Sequence, residues 1–327
     1  MPALPADPLP DAALYATPAN PIPEGTRVGF LLDHAKRRVR TAVFPHAAKP
    51  AKGTVLVLTG RNEAIEKYFE TARDLNRRGF VAIALDWRGQ GGSDRLLKNP
   101  QRGHVGSFSD YIEDFDLVFE TIALPDTPAP YYVLAHSTGA LVALLAAPRY
   151  TNQIRRMVLL SPLLEISGFS FAHRGIHRLS HAVAGIGLGR IYLGGGPRKP
   201  GMPRFEQNPL TSDPARFERN AELLQTFPQL ALGGPTASWV RAACRAIDAA
   251  NEPAFMSSVR IPTMFVAAGA DRIVSTAATE RYAPRLRAGA LVTIDGARHE
   301  IPQEADRYRE QMWAAFDAFV PGSDSGF

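Results

Sequence analysis

Short unbroken apolar runs alternate along this chain with longer stretches whose apolar positions recur every third or fourth residue. Thr54–Leu58, Val81–Leu85 and residues 131–134, 157–160, 263–267 and 291–294 are runs of the first kind. Each is too short for a helix with its own packing face, and unbroken apolarity predicts a strand covered on both sides. Residues 28–32 and 39–44, joined by a polar turn at Asp33-His34, predict two further strands. Helices are predicted over 64–78, which Gly79 ends, and over the acidic, amphipathic segment 109–122. Another is predicted near the C-terminus, where Ala305, Tyr308, Met312, Ala315 and Phe319 recur on one face. Strands alternating with helices imply an α/β fold: a mostly parallel central sheet, helices on both faces, and an antiparallel edge formed by the N-terminal pair.

The alternation stops between 163 and 259. Helical patterns there are broken by Gly194-Gly195-Gly196, by Pro197, Pro200, Pro203 and Pro209, and by Gly233-Gly234-Pro235. So long an interruption is too patterned for a loop and too poor in strands to widen the sheet. It predicts an inserted helical cap over the carboxyl ends of the strands, where open α/β sheets bind ligands. The core would then comprise 26–162 and 260–327, with the proline- and alanine-rich 1–25 as an extended arm. The arm lacks a basic start and an apolar stretch, so it does not read as a secretory signal.

One strand–helix junction carries chemistry. Residues 131–134 lead into Ala135-His136-Ser137-Thr138-Gly139, and an apolar helical run over 140–147 follows. A serine on a sharp turn between strand and helix is a nucleophile elbow, and the turn crowds the positions two before and two after it. Ala135 and Gly139 are both small enough. A serine hydroxyl needs an imidazole base oriented by a carboxylate, and on this architecture acid and base follow the serine in that order. Asp271 comes directly after the 263–267 strand, whereas Asp295 and Asp248 are less suitably placed. His299 lies between the last strand and the last helix, where it can lean back toward Ser137. A tetrahedral intermediate also needs backbone N–H donors for its oxyanion, one donor being worth about 10²–10³ in rate. The candidates are Thr138, just after the nucleophile, and Arg61, in the Thr59-Gly60-Arg61-Asn62 loop.

These features together resemble the α/β-hydrolase superfamily, and within it the bacterial lysophospholipases and monoacylglycerol lipases. The resemblance covers nearly the whole chain from about residue 28. It is carried by Asn62-Glu63 with Glu66-Lys67-Tyr68, and by Asp86-Trp87-Arg88-Gly89-Gln90-Gly91-Gly92-Ser93. Arg102-Gly103-His104-Val105 with Asp110-Tyr111, the elbow, Asn208-Pro209-Leu210-Thr211 and the loops of Asp271 and His299 complete it. The resemblance implies hydrolysis of a carboxylic ester bearing one acyl chain, a lysophospholipid or a monoacylglycerol, through an acyl-enzyme. Ser137, Asp271 and His299 would hold the triad roles. Two positions depart from the pattern: Ala135 replaces the usual first glycine, and Thr59-Gly60 stands where many lipases have His-Gly. Neither removes a reacting group. The alternatives are a general esterase or thioesterase on small esters, and a hydrolase-shaped ligand-binding protein with little turnover.

Composition adjusts this picture only at its margins. The chain of 327 residues, 45% of them hydrophobic, carries a net charge of +5 without the dense basic run of a nucleic-acid binder. That excess favours peripheral contact with an anionic membrane surface. Cys244 is the single cysteine, so no intramolecular disulfide forms and a cytoplasmic location is expected. The mechanism calls for no metal or organic cofactor, and His173, His177 and His181 read as a polar helix stripe rather than a zinc site. In the first part of the cap, Phe169, Phe171, Ile176, Leu179, Ile186, Leu188, Ile191 and Leu193 accompany Arg174, Arg178 and Arg190. Such a set would hold an acyl chain and meet a phosphate, or simply pack on the core.

Overall fold

A computed structural model describes residues 12–46, 50–166, 172–198 and 201–323, with the backbone alone at 172–174. The strands are β1 (Arg27–Leu32), β2 (Arg38–Phe44), β3 (Thr54–Leu58), β4 (Val81–Leu85), β5 (Tyr131–His136), β6 (Ile154–Leu160), β7 (Thr263–Ala268) and β8 (Gly289–Ile294). They form one sheet in the order β1-β2-β4-β3-β5-β6-β7-β8. β2 runs antiparallel to both neighbours, and every pair from β4 onward is parallel. This is the doubly covered sheet with an antiparallel N-terminal edge that the apolar runs imply.

The central strands are apolar throughout because both faces are covered, and the period-two alternation of a strand divides their side chains between two cores. Val55 and Val57 point to the layer built on the helices Phe69–Arg77 and Asp306–Phe319. Leu56 and Leu58 point to the layer of Phe108–Val118, Thr138–Ala146 and Ala237–Asn251. The last helix buries Met312, Trp313 and Phe316, while Tyr308, Ala315 and Phe319 pack only at the margin. The stripe read from its sequence is therefore turned away from the true centre. The guanidinium of Arg78, 4.2 Å from the Trp313 ring, covers that side chain's outer face.

Two further expectations gain detail. From residue 12 onward the arm is docked on the core: Arg40 donates to the Ala13 carbonyl at 2.7 Å, and Asn20 donates to that of Glu66 at 2.8 Å. Residues 1–11 lie outside those described. The insertion over 163–259 is also not all cap. Its Ala237–Asn251 helix buries Ala243, Cys244 and Ile247 in the sheet's own hydrophobic layer, against Thr138–Ala146. The helices Ala172–Val183 and Pro214–Thr226 lie in the same inserted segment. Among the described residues, no helix is long and apolar enough to cross a membrane.

Candidate active site

β5 ends at His136, and the chain turns into the helix Thr138–Ala146 through Ser137 alone. Ser137 has φ 51° and ψ −112°, a strained conformation for a residue with a side chain. Its neighbours hold it there. The Ser137 amide donates to the Leu160 carbonyl at 2.9 Å, and the Leu141 and Leu163 amides donate to its own carbonyl at 3.2 and 3.1 Å. Gly139 is obligatory, since a Cβ there would lie 2.5 Å from the carbonyl oxygens of Leu58 and Thr59. Ala135 is buried inside β5, where the sheet accommodates its methyl group.

The three residues expected to act together do meet. His299 Nε2 lies 3.0 Å from Ser137 Oγ, and His299 Nδ1 lies 2.8 Å from Asp271 Oδ2. The other Asp271 oxygen accepts from the amides of Ile273 and Val274 at 2.7 and 3.0 Å. Burial opposes the charge on Asp271. The hydrogen bond and charge of His299, with those two amides, outweigh it and hold the carboxyl below its ordinary range. Of the runners-up, Asp248 pairs instead with His177 Nδ1 at 3.2 Å.

The amides of the loop after β3 are sorted by their partners. Gly60 N–H donates to Glu63 Oε2, and Asn62 N–H donates to Gln90 Oε1 at 2.7 Å. Among the described residues, neither the Arg61 amide nor the Thr138 amide donates to a protein acceptor, and both residues line the cavity at Ser137. Asn62 takes φ 59°, which turns the loop there. The Asp86 segment underlies this loop: its carboxylate accepts from Ile65 N–H at 2.9 Å and Gly92 N–H at 2.7 Å and pairs with the buried Arg40 at 2.6 Å. The Asn208-Pro209-Leu210-Thr211 turn braces the base loop in the same way. Arg298, next to His299, donates to the carbonyls of Asn208 and Thr211 at 2.9 and 2.8 Å, and Glu300 N–H donates to that of Leu210 at 2.8 Å.

A cavity of about 900 Å³ opens over Ser137 and His299. Its apolar wall includes Met202, Phe217, Leu223, Leu224, Trp239 and Ile273. Most of these come from the second part of the cap, which sequence reasoning passed over although Phe217, Ala221 and Leu224 fall on one helical stripe. The first part does something else. Leu179, Ile186, Leu188 and Ile191 are exposed, Ile176 and Leu193 pack against the core, and none of them lines the cavity. Arg178 and Arg190 do not line it either; Arg61, Arg198 and Arg204 do. Phe169 and Phe171, and the side chains of His173 and Arg174, lie outside those described. The histidine stripe is not simply solvated. His177 meets Asp248, and His181 Nε2 accepts from Arg245 Nε at 3.1 Å, so it ties two helices together.

A mostly parallel sheet with Ser137 on the tight turn after its central strand, His299 in contact with it from the loop after β8, and Asp271 in contact with His299 from the loop after β7, defines an α/β-hydrolase. The serine aminopeptidase S33 family profile matches residues 49–306, and the chain belongs to that family. Lysophospholipase L2 of Escherichia coli strain K12 is 33% identical over 264 residues, 78% of this chain and 76% of its own length. Monoacylglycerol lipase of Mycolicibacterium smegmatis is 29% identical over 44% of this chain and 47% of its own. The fold is shared with a monoglyceride lipase from Saccharomyces cerevisiae, at a TM-score of 0.72 and 16% identity, covering 91% of this chain and 96% of that one.

Proposed function

We propose that the chain hydrolyses the ester of a mono-acyl lipid, a lysophospholipid or a monoacylglycerol, through an acyl-enzyme. The observation that carries this reading is the Asp271–His299–Ser137 relay opening into a cavity with an apolar wall. Ser137 Oγ attacks the ester carbonyl while His299 Nε2 takes its proton and Asp271 stabilises the imidazolium that forms. The Arg61 and Thr138 amides receive the oxyanion. Collapse breaks the bond to the alcohol, which leaves with the proton from His299. Water then attacks the acyl-enzyme by the same route in reverse, releasing the fatty acid and restoring Ser137. Asp271, held below the ordinary carboxyl range, stays charged throughout.

The names of the related lysophospholipase and monoacylglycerol lipases support the lipid substrate. Peptide substrates with a free amine fit less well, because Glu63 and Glu300, which line the cavity, are already paired with Lys67. The core of this reading is 26–162 with 260–327, and the inserted segment is 163–259. We assign the exposed Leu179, Ile186 and Leu188, flanked by Arg178 and Arg190, to peripheral contact with an anionic lipid surface. A cytoplasmic site of action suits Cys244, a single buried cysteine with no second thiol in the chain to pair with.

The test is ester release by wild type and Ser137→Ala on lysophosphatidylcholine, a monoacylglycerol and short p-nitrophenyl esters. Turnover by the wild type alone, greatest on a mono-acyl lipid, is expected. Equal turnover by both proteins would overturn the assignment of the nucleophile.

A further inference from the structure

Beneath the triad lies a buried group of charges with no part in the relay described above. His136 precedes the nucleophile and is 2% exposed. Its Nδ1 lies 3.2 Å from Glu63 Oε2, and its Nε2 lies 3.1 Å from the backbone carbonyl oxygen of His299. Both ring nitrogens thus face acceptors. A neutral imidazole has one N–H and one lone pair, so it would turn a lone pair toward an oxygen. Only the doubly protonated ring satisfies both contacts.

The surroundings balance that charge. Glu63 also accepts from Tyr68 Oη at 2.6 Å and pairs with Lys67 Nζ at 2.9 Å. Lys67 pairs in turn with Glu300 at 2.5 Å. Two carboxylates and two cations therefore sum to zero in a space where an unpaired charge is costly. Burial opposes the charge on Glu63 but Lys67 and His136 hold its carboxyl well below the usual range; burial opposes the charge on His136 but Glu63 raises it.

We infer that Glu63 and His136 form a positioning pair, His136 being an imidazolium, that fixes three catalytic loops against one another. Glu63 holds the oxyanion loop through Gly60 N–H, His136 is part of the elbow, and its Nε2–H holds the base loop through the His299 carbonyl. Gly60 is required by this arrangement, since a Cβ there would sit 2.7 Å from Glu63 Oε2 and 2.9 Å from His136 Nδ1. The His136 ring also packs against that of His299, with centroids 4.8 Å apart. The groups facing His136 are Glu63, Lys67, Glu300, His299 and Ser137. The inference rests on Ser137 and His299 acting as proposed above, but the protonation of His136 is read without substrate.

The experiment is ¹⁵N NMR of ring-labelled histidine in the intact protein, followed by kinetics of His136→Asn and Glu63→Gln on a p-nitrophenyl ester. In wild type both His136 nitrogens should be protonated at neutral pH, whereas in Glu63→Gln, where burial is no longer outweighed by the Glu63 carboxylate, the ring should be neutral there. A neutral His136 in wild type at about pH 7.5 would overturn the inference. With active sites counted by fluorophosphonate titration, kcat per site should fall about tenfold to a hundredfold in both variants, with KM little changed. A purely structural role would lower the fraction of active sites and leave kcat per site unmoved, which would also refute it.

Discussion

The helices Ala172–Val183 and Pro214–Thr226 both lie in the segment inserted between β6 and β7, and both mix apolar residues with arginines. They use that mixture differently. In and just after the first, Leu179 is 52% exposed and Ile186 75%, whereas in the second Ala221 and Leu223 are 6% and 2% exposed. Anchoring accounts for the difference. Arg216 and Arg219 reach from the second helix to Glu70 on the core at 2.7 and 2.6 Å, and Phe217 packs on Phe205 at 5.4 Å. These ties press its apolar stripe onto the cavity. The first helix is tied through His177 to Asp248, whose side chain is 49% exposed, and its outer stripe faces away from the protein. An amphipathic pattern reveals that a helix has an apolar face; ionic partners far away in sequence decide what that face covers.

The largest expected effect tests which half holds the acyl chain. Leu224→Glu puts a carboxylate into the apolar wall and should raise KM for a long-chain monoacylglycerol about tenfold to a hundredfold, the equivalent of one buried leucine. p-Nitrophenyl acetate, which has no chain to bury, should be hydrolysed as before. Leu179→Glu with Ile186→Glu should leave both soluble reactions unchanged and reduce sedimentation with anionic vesicles. A rise in long-chain KM in that double variant alone would reverse the comparison.

A smaller effect tests the anchor. Burial opposes the charge on Glu70, but hydrogen bonds and charges from Arg216, Arg309 and Arg219 outweigh it and bring the carboxyl down to about 2. A folded-state value below the unfolded one means the stabilisation is present above about pH 4.5 and disappears as pH falls toward about 2. Glu70→Gln should therefore cost about 1–3 kcal/mol at neutral pH, read as a lower Tm, and the gap to wild type should close in acid. A gap of the same size at about pH 3 would show that the anchor is not ionic. Asp248→Asn, at the exposed tie of the first helix, should cost less than about 1 kcal/mol.

The sheet and the meeting of Ser137, His299 and Asp271 were legible in the sequence because each depends on local signals. Thr54–Leu58 and Val81–Leu85 are apolar at every position, and the elbow combines a strand, a small–x–Ser–x–Gly turn and a helix within a short span. Asp271 and His299 could be placed because strand ends bring them to one edge. The cap was not legible in this way. Its cavity wall depends on Glu70 holding Arg216 and Arg219, a contact across some 146 positions for Arg216. The membership of Ala237–Asn251 in the core depends on packing against Thr138–Ala146, which its own periodicity does not specify. The stripe of the last helix was misjudged because Trp313 is buried beneath Arg78, a partner no local pattern reveals. The partners of His136, Glu63 and the His299 carbonyl, lie 73 and 163 positions away, beyond any local pattern.

The most direct test of the account is covalent. A long-chain fluorophosphonate should be applied briefly to the intact protein, and the adduct located by mass spectrometry of its peptides. One adduct per chain is expected, on the peptide containing Ser137, and none in Ser137→Ala. No adduct, or one on another serine such as Ser161 with Ser137 unmodified, would contradict the proposal that Ser137 is the activated nucleophile.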